Sequence, residues 1–332
     1  MQDSPSCPAI EINDLSKKYR VRGEEKWLTA VEPINLTVPR GQVFGFLGTN
    51  GAGKTTTIKM ICGLITPDTG SVRVNGYDVL HQRKEAMKQI GAVLEGTRNI
   101  YWRLSALENI LYFGRLKNFT GKQLKAEAER LLAELGLWER RNDRIRTFSR
   151  GMQQKVAIAC ALIADPPIVL LDEPTLGLDV QAAVTVKQWV KQLAREQKRT
   201  IILTTHQLDM AEQLCDRVAI IRKGKLLTDQ PLAKLLAVHK ERYQIRIKGH
   251  MERQALDMPE GLSCRYEQDD TVLVGTIEDQ NALHTLLNQI RALELPLRSV
   301  TQVEPNLEEV FINMITQERQ EESHELLTHS VQ

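Results

Sequence analysis

The run Ile168-Val169-Leu170-Leu171 is apolar throughout, follows the pair Pro166-Pro167 and ends in two adjacent carboxylates, Asp172 and Glu173. No other stretch restricts the fold as tightly. The prolines stop a helix that opens at Ser149-Arg150-Gly151 and carries Val156, Ala157, Ala159, Cys160 and Leu162. Four apolar residues without alternation read as a strand buried on both faces, the pattern of a parallel sheet. Paired acids are costly at the end of such a strand. Open α/β sheets bind ligands at the carboxyl ends of their strands, and a metal or a reacting water is the usual reason for acids there.

The surrounding pattern agrees with an α/β core. Strands are expected at Val43–Leu47, Ile90–Leu94, Thr200–Thr204 and Val218–Ile221, alternating with helices at Lys54–Leu64, Ala182–Glu196 and Leu208–Leu214. Before this core come short strands, Ile10–Asn13, Trp27–Val31 and Ile34–Val38. Between Leu104 and Thr147 the pattern is helical only, with Leu124, Ala128, Leu131, Leu132 and Leu135 at helix spacing, which reads as an insert. Past His239-Lys240 the character changes again. Strands at Tyr243–Ile247, Thr271–Ile277 and Arg298–Val303 and helices at Gln280–Leu293 and Asn306–Ile315 predict a small α+β domain over 241–316. The polar tail 317–332 is expected to be disordered. A length of 332 residues suits about two domains.

Composition narrows the class. A formal net charge of +2 argues against a nucleic-acid surface. No apolar run approaches the roughly 20 residues that span a bilayer. The N-terminus has no basic stretch leading into an apolar one, so no secretory signal is expected. The five cysteines (Cys7, Cys62, Cys160, Cys215, Cys264) lack metal-site spacing and read as reduced thiols.

Gly48-Thr49-Asn50-Gly51-Ala52-Gly53-Lys54-Thr55 matches G-x-x-x-x-G-K-[ST], with an apolar strand before it and a helix after it. Its glycines let backbone N–H groups approach phosphate oxygens, and the following helix points its positive end at the same anion. Lys54 suits the β- and γ-phosphates and the Thr55 hydroxyl suits Mg²⁺. Asp172 completes the metal site, and Glu173 is placed to act as general base toward water. The loop alone does not choose among ATPases, GTPases and kinases.

Together these residues resemble the ATP-binding cassette (ABC) family over about residues 8–238, with its motifs in the family's order. Gly48–Thr55 matches Walker A, and Ile168–Glu173 matches Walker B with the catalytic glutamate. Phe148-Ser149-Arg150-Gly151-Met152 matches the signature usually written Leu-Ser-Gly-Gly-Gln. Leu178-Asp179 matches the D-loop and His206 the switch histidine. Tyr19 matches the aromatic that stacks on adenine, with Trp27 a nearby competitor. The resemblance implies a P-loop NTPase cassette: a mostly parallel sheet core, an N-terminal antiparallel β subdomain and a helical insert at about 99–150. It implies ATP bound by Tyr19, Gly48, Thr49, Asn50, Gly51, Ala52, Gly53, Lys54, Thr55, Thr56 and Glu95, with Mg²⁺ held by Thr55, Asp172 and Glu95. Glu173 and His206 would be catalytic. Ser149, Arg150, Gly151 and Met152 would close over the ATP of a second cassette, identical or not. Asp179 would contact that partner, and also suits a helix N-cap.

The resemblance further implies ATP hydrolysis that drives transport through a separate membrane permease, at the cytoplasmic face of the membrane. Tyr101 and Trp102 are either anchors for that permease or buried within the insert. The ending Glu304-Pro305-Asn306-Leu307-Glu308-Glu309-Val310-Phe311 resembles the tail of type 2 ABC exporter ATPases, including drug, sodium and polysaccharide systems. Similar proteins carry a ferredoxin-like or ACT-like domain there. The alternative is a soluble ABC ATPase acting on ribosomes or nucleic acid. One cassette, no heptad insertion and a nearly neutral chain oppose it, and no nucleic-acid partner is expected. Two positions depart from the family. Glu95 stands where Gln is usual; its carboxylate can still ligate Mg²⁺ but adds negative charge. Arg150 replaces the first signature glycine, and either adds a favourable charge or lies on the surface.

Overall fold

The computed structural model describes residues 7–21, 23, 25–95, 99–237, 242–250, 256, 258, 262–267, 269–277, 280–303, 306–316 and 318. Its contacts divide the chain into two units, Met1–Leu232 and Ala233–Gln332. The expected junction at His239-Lys240 lies outside the described residues, as does all of the tail except Gln317's neighbour Glu318.

The first unit begins with β1 (Ile10–Arg20), β2 (Trp27–Val38), β3 (Val43–Leu47), α1 (Lys54–Ile61), β4 (Thr69–Val74), β5 (Tyr77–Asp78), α2 (Arg83–Lys88) and β6 (Ile90–Val93). The insert follows as α3 (Ala106–Leu116) and α4 (Gly121–Glu134). The chain then returns through α5 (Arg150–Leu162), β7 (Ile168–Asp172), α6 (Val180–Arg195), β8 (Thr200–Thr205), α7 (Leu208–Leu214), β9 (Arg217–Arg222) and β10 (Lys225–Pro231). A short helix, α8 (Leu232–Ala237), follows.

Six strands form the main sheet in the order β10-β9-β3-β8-β7-β6. Neighbours from β9 to β6 are parallel, and β10 joins antiparallel at the edge. Every residue of β3, β7 and β8 is buried, as unbroken apolar runs require. Lys223 (φ 47°) and Gly224 (φ 85°) both take positive φ in the turn between β9 and β10, the backbone that suits a tight hairpin.

A second sheet, β2-β1-β4-β5, is antiparallel. The expected strands Trp27–Val31 and Ile34–Val38 are one strand, β2. Pro33 falls where the register passes from Leu15↔Ile34 to Lys17↔Val31. Lacking an N–H, proline is tolerated at such an irregularity on an edge strand. One core cluster joins this sheet to α1 and the main sheet through Ile10, Ile12, Leu15, Ile34, Phe44, Phe46, Ile58 and Met60. The insert is pinned where α3 starts. Ser105 and Glu108 form a reciprocal capping box, with Ser105 N–H donating to Glu108 Oε2 (2.7 Å) and Glu108 N–H to Ser105 Oγ (3.2 Å).

The second unit holds β11 (Arg242–Lys248), β12 (Leu262–Glu267), β13 (Asp270–Thr276), α9 (Gln280–Ala292) and β14 (Leu297–Val303), followed by a helix over 307–316. Its sheet runs β12-β13-β11-β14, with all neighbours antiparallel. Ile245, Ile247 and Leu273 pack with Leu286 and Ile290 of α9. Strand β12 was not expected from sequence. It is an edge strand with Leu262 alone fully buried, so its pattern is faint. No helix among the described residues is long and apolar enough to cross a membrane.

Candidate functional site

Strand β3 ends at Leu47 and the chain turns directly into α1, so the loop 48–53 sits at the carboxyl end of the parallel sheet. Two glycines there answer to close neighbours. A Cβ on Gly48 would lie 2.4 Å from the Ile221 carbonyl oxygen; on Gly53, at φ 109°, it would lie 2.5 Å from that of Ala30. Gly224 N–H donates to Ala52 O (2.9 Å), tying the β9–β10 turn to the loop.

Lys54 is the first residue of α1 and is buried. Its Nζ donates to the carbonyls of Gly48 (2.7 Å) and Thr49 (3.2 Å) and lies 3.9 Å from Glu173 Oε1. Burial pulls the ammonium pKa down, against the opposing pull of the Glu173, Asp172 and Glu95 carboxylates. A buried cation of this kind gains by meeting further negative charge.

Asp172 closes β7 and is 2% exposed. The Thr204 hydroxyl from β8 donates to its Oδ1, the Thr55 hydroxyl lies 3.5 Å from the same oxygen, and Glu95 N–H lies 3.4 Å from Oδ2. These donors offset the cost of desolvating the carboxylate. Glu173 has φ 51°, a conformation that costs a non-glycine residue free energy. Its N–H donates to Thr204 O (3.1 Å) and Thr204 Oγ1 (3.2 Å), which hold the kink. Glu173 Oε1 lies 2.9 Å from Nδ1 of His206, just beyond β8.

The cleft over the loop has a volume of about 740 Å³, a size that holds nucleotide-sized ligands. Asn50 to Thr56, Glu95, Glu173 and His206 all line it. So do Leu28, Thr29, Ala30 and Lys223, which sequence reasoning did not find; no motif marks them, and backbone bonds from Gly224 to Ala52 and from Glu32 to Gly224 hold the β9–β10 turn near the loop. Tyr19 is not among the lining residues, but it pairs directly with Leu28, whereas Trp27 pairs with Arg20. Adjacent residues of a strand point to opposite faces, so Tyr19 shares the face of Leu28 and Trp27 does not.

The donor set suits a hard divalent cation. Thr55 offers a hydroxyl and Asp172 a carboxylate, both oxygen ligands. Among the described residues no three His, Cys, Asp or Glu side chains form a metal cage. An ion here would take its remaining ligands from phosphate oxygens and water.

Ser149, Gly151 and Met152 do not line this cleft. Ser149 Oγ caps α5 by accepting from Met152 N–H (3.3 Å). Gly151 is buried where a Cβ would meet Ala182 Cβ at 2.6 Å. Asp179 caps α6, accepting at Oδ1 from Ala182 N–H (2.8 Å). The starts of α5 and α6 are therefore packed together within one chain.

A family model described as ABC transporter matches residues 31–176, and a second, described as a domain of unknown function (DUF8691), matches 242–301. The chain is 41% identical over 218 residues to the ABC transporter ATP-binding protein NatA of Bacillus subtilis (strain 168), covering 66% of this chain and 87% of that one. It is 34% identical over 315 residues to the linearmycin resistance ATP-binding protein LnrL of the same organism, covering 92% and 97%. Among solved structures, a dimeric post-hydrolysis state of the ATP-binding cassette MJ0796 bound to ADP and Pi superposes with a TM-score of 0.61 at 27% identity, covering 67% of this chain and 98% of that chain.

Proposed function

The chain belongs to the ATP-binding subunits of the ABC transporter family, and from that premise we propose that it is the ATP-hydrolysing subunit of an exporter whose membrane permease is a separate chain. The observation that carries the catalytic half is the strand-end arrangement. A strained Glu173 stands between His206 Nδ1 at 2.9 Å and the buried Lys54 ammonium at 3.9 Å, beside the buried Asp172.

ATP seated on the loop draws Lys54 Nζ from the neutral carbonyls of Gly48 and Thr49 onto phosphate oxygens. Tyr19 offers an aromatic face for the base, worth about 1–3 kcal/mol. Thr55 and Asp172, with Glu95 alongside, would hold Mg²⁺, which would supply neutralisation of phosphate charge. Glu173 takes the proton of the attacking water, and His206 keeps its carboxylate aimed. A second cassette brings its Ser149 and the positive end of its α5 to the same phosphates, so two copies are needed. That requirement agrees with the dimeric relative. After hydrolysis the γ-phosphate contacts are gone and the pair opens.

Replacing Glu173 with Gln tests this. We expect ATP still to bind, hydrolysis to fall by about 10²–10⁴-fold, and a stable dimer to appear in light scattering when ATP and Mg²⁺ are added. A variant that stays monomeric with ATP and hydrolyses at the wild-type rate removes Glu173 from the role.

Export is supported by the curated relative LnrL, named for linearmycin resistance, which the chain matches nearly end to end. The permease surface we assign is on the insert. Tyr101 and Trp102 are each 50% exposed, and the Tyr101 ring stacks edge-on with Tyr112 at 5.0 Å. Such exposed aromatics favour partner contact over burial in the insert. A permease there places the chain at the cytoplasmic face of the membrane. For the second unit we infer a ferredoxin-like module, because its strands, numbered within the unit, lie in the order 2-3-1-4 with α9 joining the third to the fourth.

A further inference from the structure

The two positions that depart from the family pattern, Glu95 and Arg150, are 55 residues apart in sequence yet line one cleft, together with Asp172, Glu173, Leu176 and Leu178. This cleft adjoins the nucleotide cleft, since Glu95, Glu173 and Leu176 line both. The Arg150 side chain does not simply project from the start of α5. It lies against Gly177, where a Cβ would meet its Nη1 at 2.5 Å and its Cζ at 2.7 Å. Gly177 has φ +69°. Its missing side chain leaves the space that the planar guanidinium fills.

We propose that Arg150 is a positioning residue for the active site of its own chain, not only part of the signature offered to a partner. The inference rests on the ATPase reading above. Arg150 does two things. Its guanidinium braces the loop 174–178, which joins the catalytic Glu173 to the α6 cap Asp179. Its charge also compensates the third carboxylate that Glu95 adds beside Asp172 and Glu173. Like charges at such a site disfavour one another, so a chain with Gln at position 95 has less need of a cation at 150. The two departures are thus a matched pair. Arginine suits both tasks because its fork is flat and always charged.

The test is a double-mutant cycle of Arg150→Gly and Glu95→Gln, read in two ways. In steady-state ATPase assays we expect each single change to lower kcat with little change in the KM for ATP. The double variant should retain about tenfold more activity than the product of the two single losses predicts. Arg150→Lys, which keeps the charge without the flat fork, should restore this coupling with Glu95. Without nucleotide or metal, hydrogen exchange of the amides at 175–178 should be about tenfold faster in Arg150→Gly than in wild type, and Arg150→Lys should not correct it. Multiplying single losses, or unchanged exchange in Arg150→Gly, overturns the proposal while wild-type hydrolysis leaves the ATPase reading standing. A wild-type chain that does not hydrolyse ATP removes both.

Discussion

Burial pushes the Cys62 thiol up to about 12, aided by the Asp172 charge, and raises Cys160 and Cys215 as well. At pH 8 only about 10⁻⁴ of Cys62 is thiolate, and the thiolate is the reactive form. We therefore expect a thiol-alkylating reagent at pH 8 to label the exposed Cys7 within minutes and to spare Cys62, Cys160 and Cys215 until the chain is unfolded, as mass spectrometry of the labelled peptides would reveal. Labelling of the buried three in the native chain would show that the core opens far more readily than its packing implies. Sequence reasoning pointed to the candidate residues through their positions. Lys54, Asp172, Glu173 and His206 each sit at the end of a strand or the start of a helix whose apolar pattern is plain. It could not foresee the φ of 51° at Glu173, because that kink depends on two bonds to Thr204, which comes from a different strand. Lys223 was out of reach for a similar reason: its place at the cleft comes from a hairpin docked on the loop.

Elements buried on both faces were the most legible, while short elements with little burial were missed. Strands β3, β7, β8 and β9 advertise themselves through unbroken apolar runs. Helix α2 buries only Ala86, and β5 is two residues long, so neither leaves a readable period. What sequence could not supply at all is how closely elements approach. Gly91 of β6 is the sharpest case: a Cβ there would lie 2.2 Å from the Ala161 carbonyl oxygen and 2.8 Å from Pro166 Cγ. The first of these is backbone at the end of α5 and cannot step aside. Gly91→Ala should therefore cost about 3 kcal/mol and lower the urea midpoint with little change in slope, because the surface exposed on unfolding is the same. A midpoint within error of wild type would mean that β6 and α5 can separate freely. The insert would then be less firmly held to the sheet than the pairing of β6 with β7 suggests.

At the scale of the whole molecule, the proposed function gives the segment from Ser149 to Asp179 two purposes that one chain cannot fulfil together. Its acids complete the site built on the loop 48–55. Its residues Ser149, Gly151 and Met152, packed onto α6, stay out of that cleft, and under the proposed function they act on the nucleotide of a second cassette. The proposed coupling to a permease requires a third surface, and Tyr101, Trp102 and Tyr112 line a cleft of their own on the insert. This separation makes the roles testable one at a time. Exchanging Tyr101 and Trp102 for Ala removes half-exposed aromatic surface without touching the loop, Asp172 or Glu173. Surface changes of this kind usually shift stability by no more than about 0.5 kcal/mol. The ATPase rate of the isolated chain should accordingly stay within about twofold of wild type. Recovery of the variant with detergent-solubilised membranes should fall to background, because aromatic anchors carry a disproportionate share of interface energy. Equal loss of both properties would show that the patch supports the fold of the insert. Retention of both would move the docking surface elsewhere on the first unit or onto the second. Only loss of membrane recovery with intact hydrolysis is what a coupling surface, separate from the catalytic one, must give.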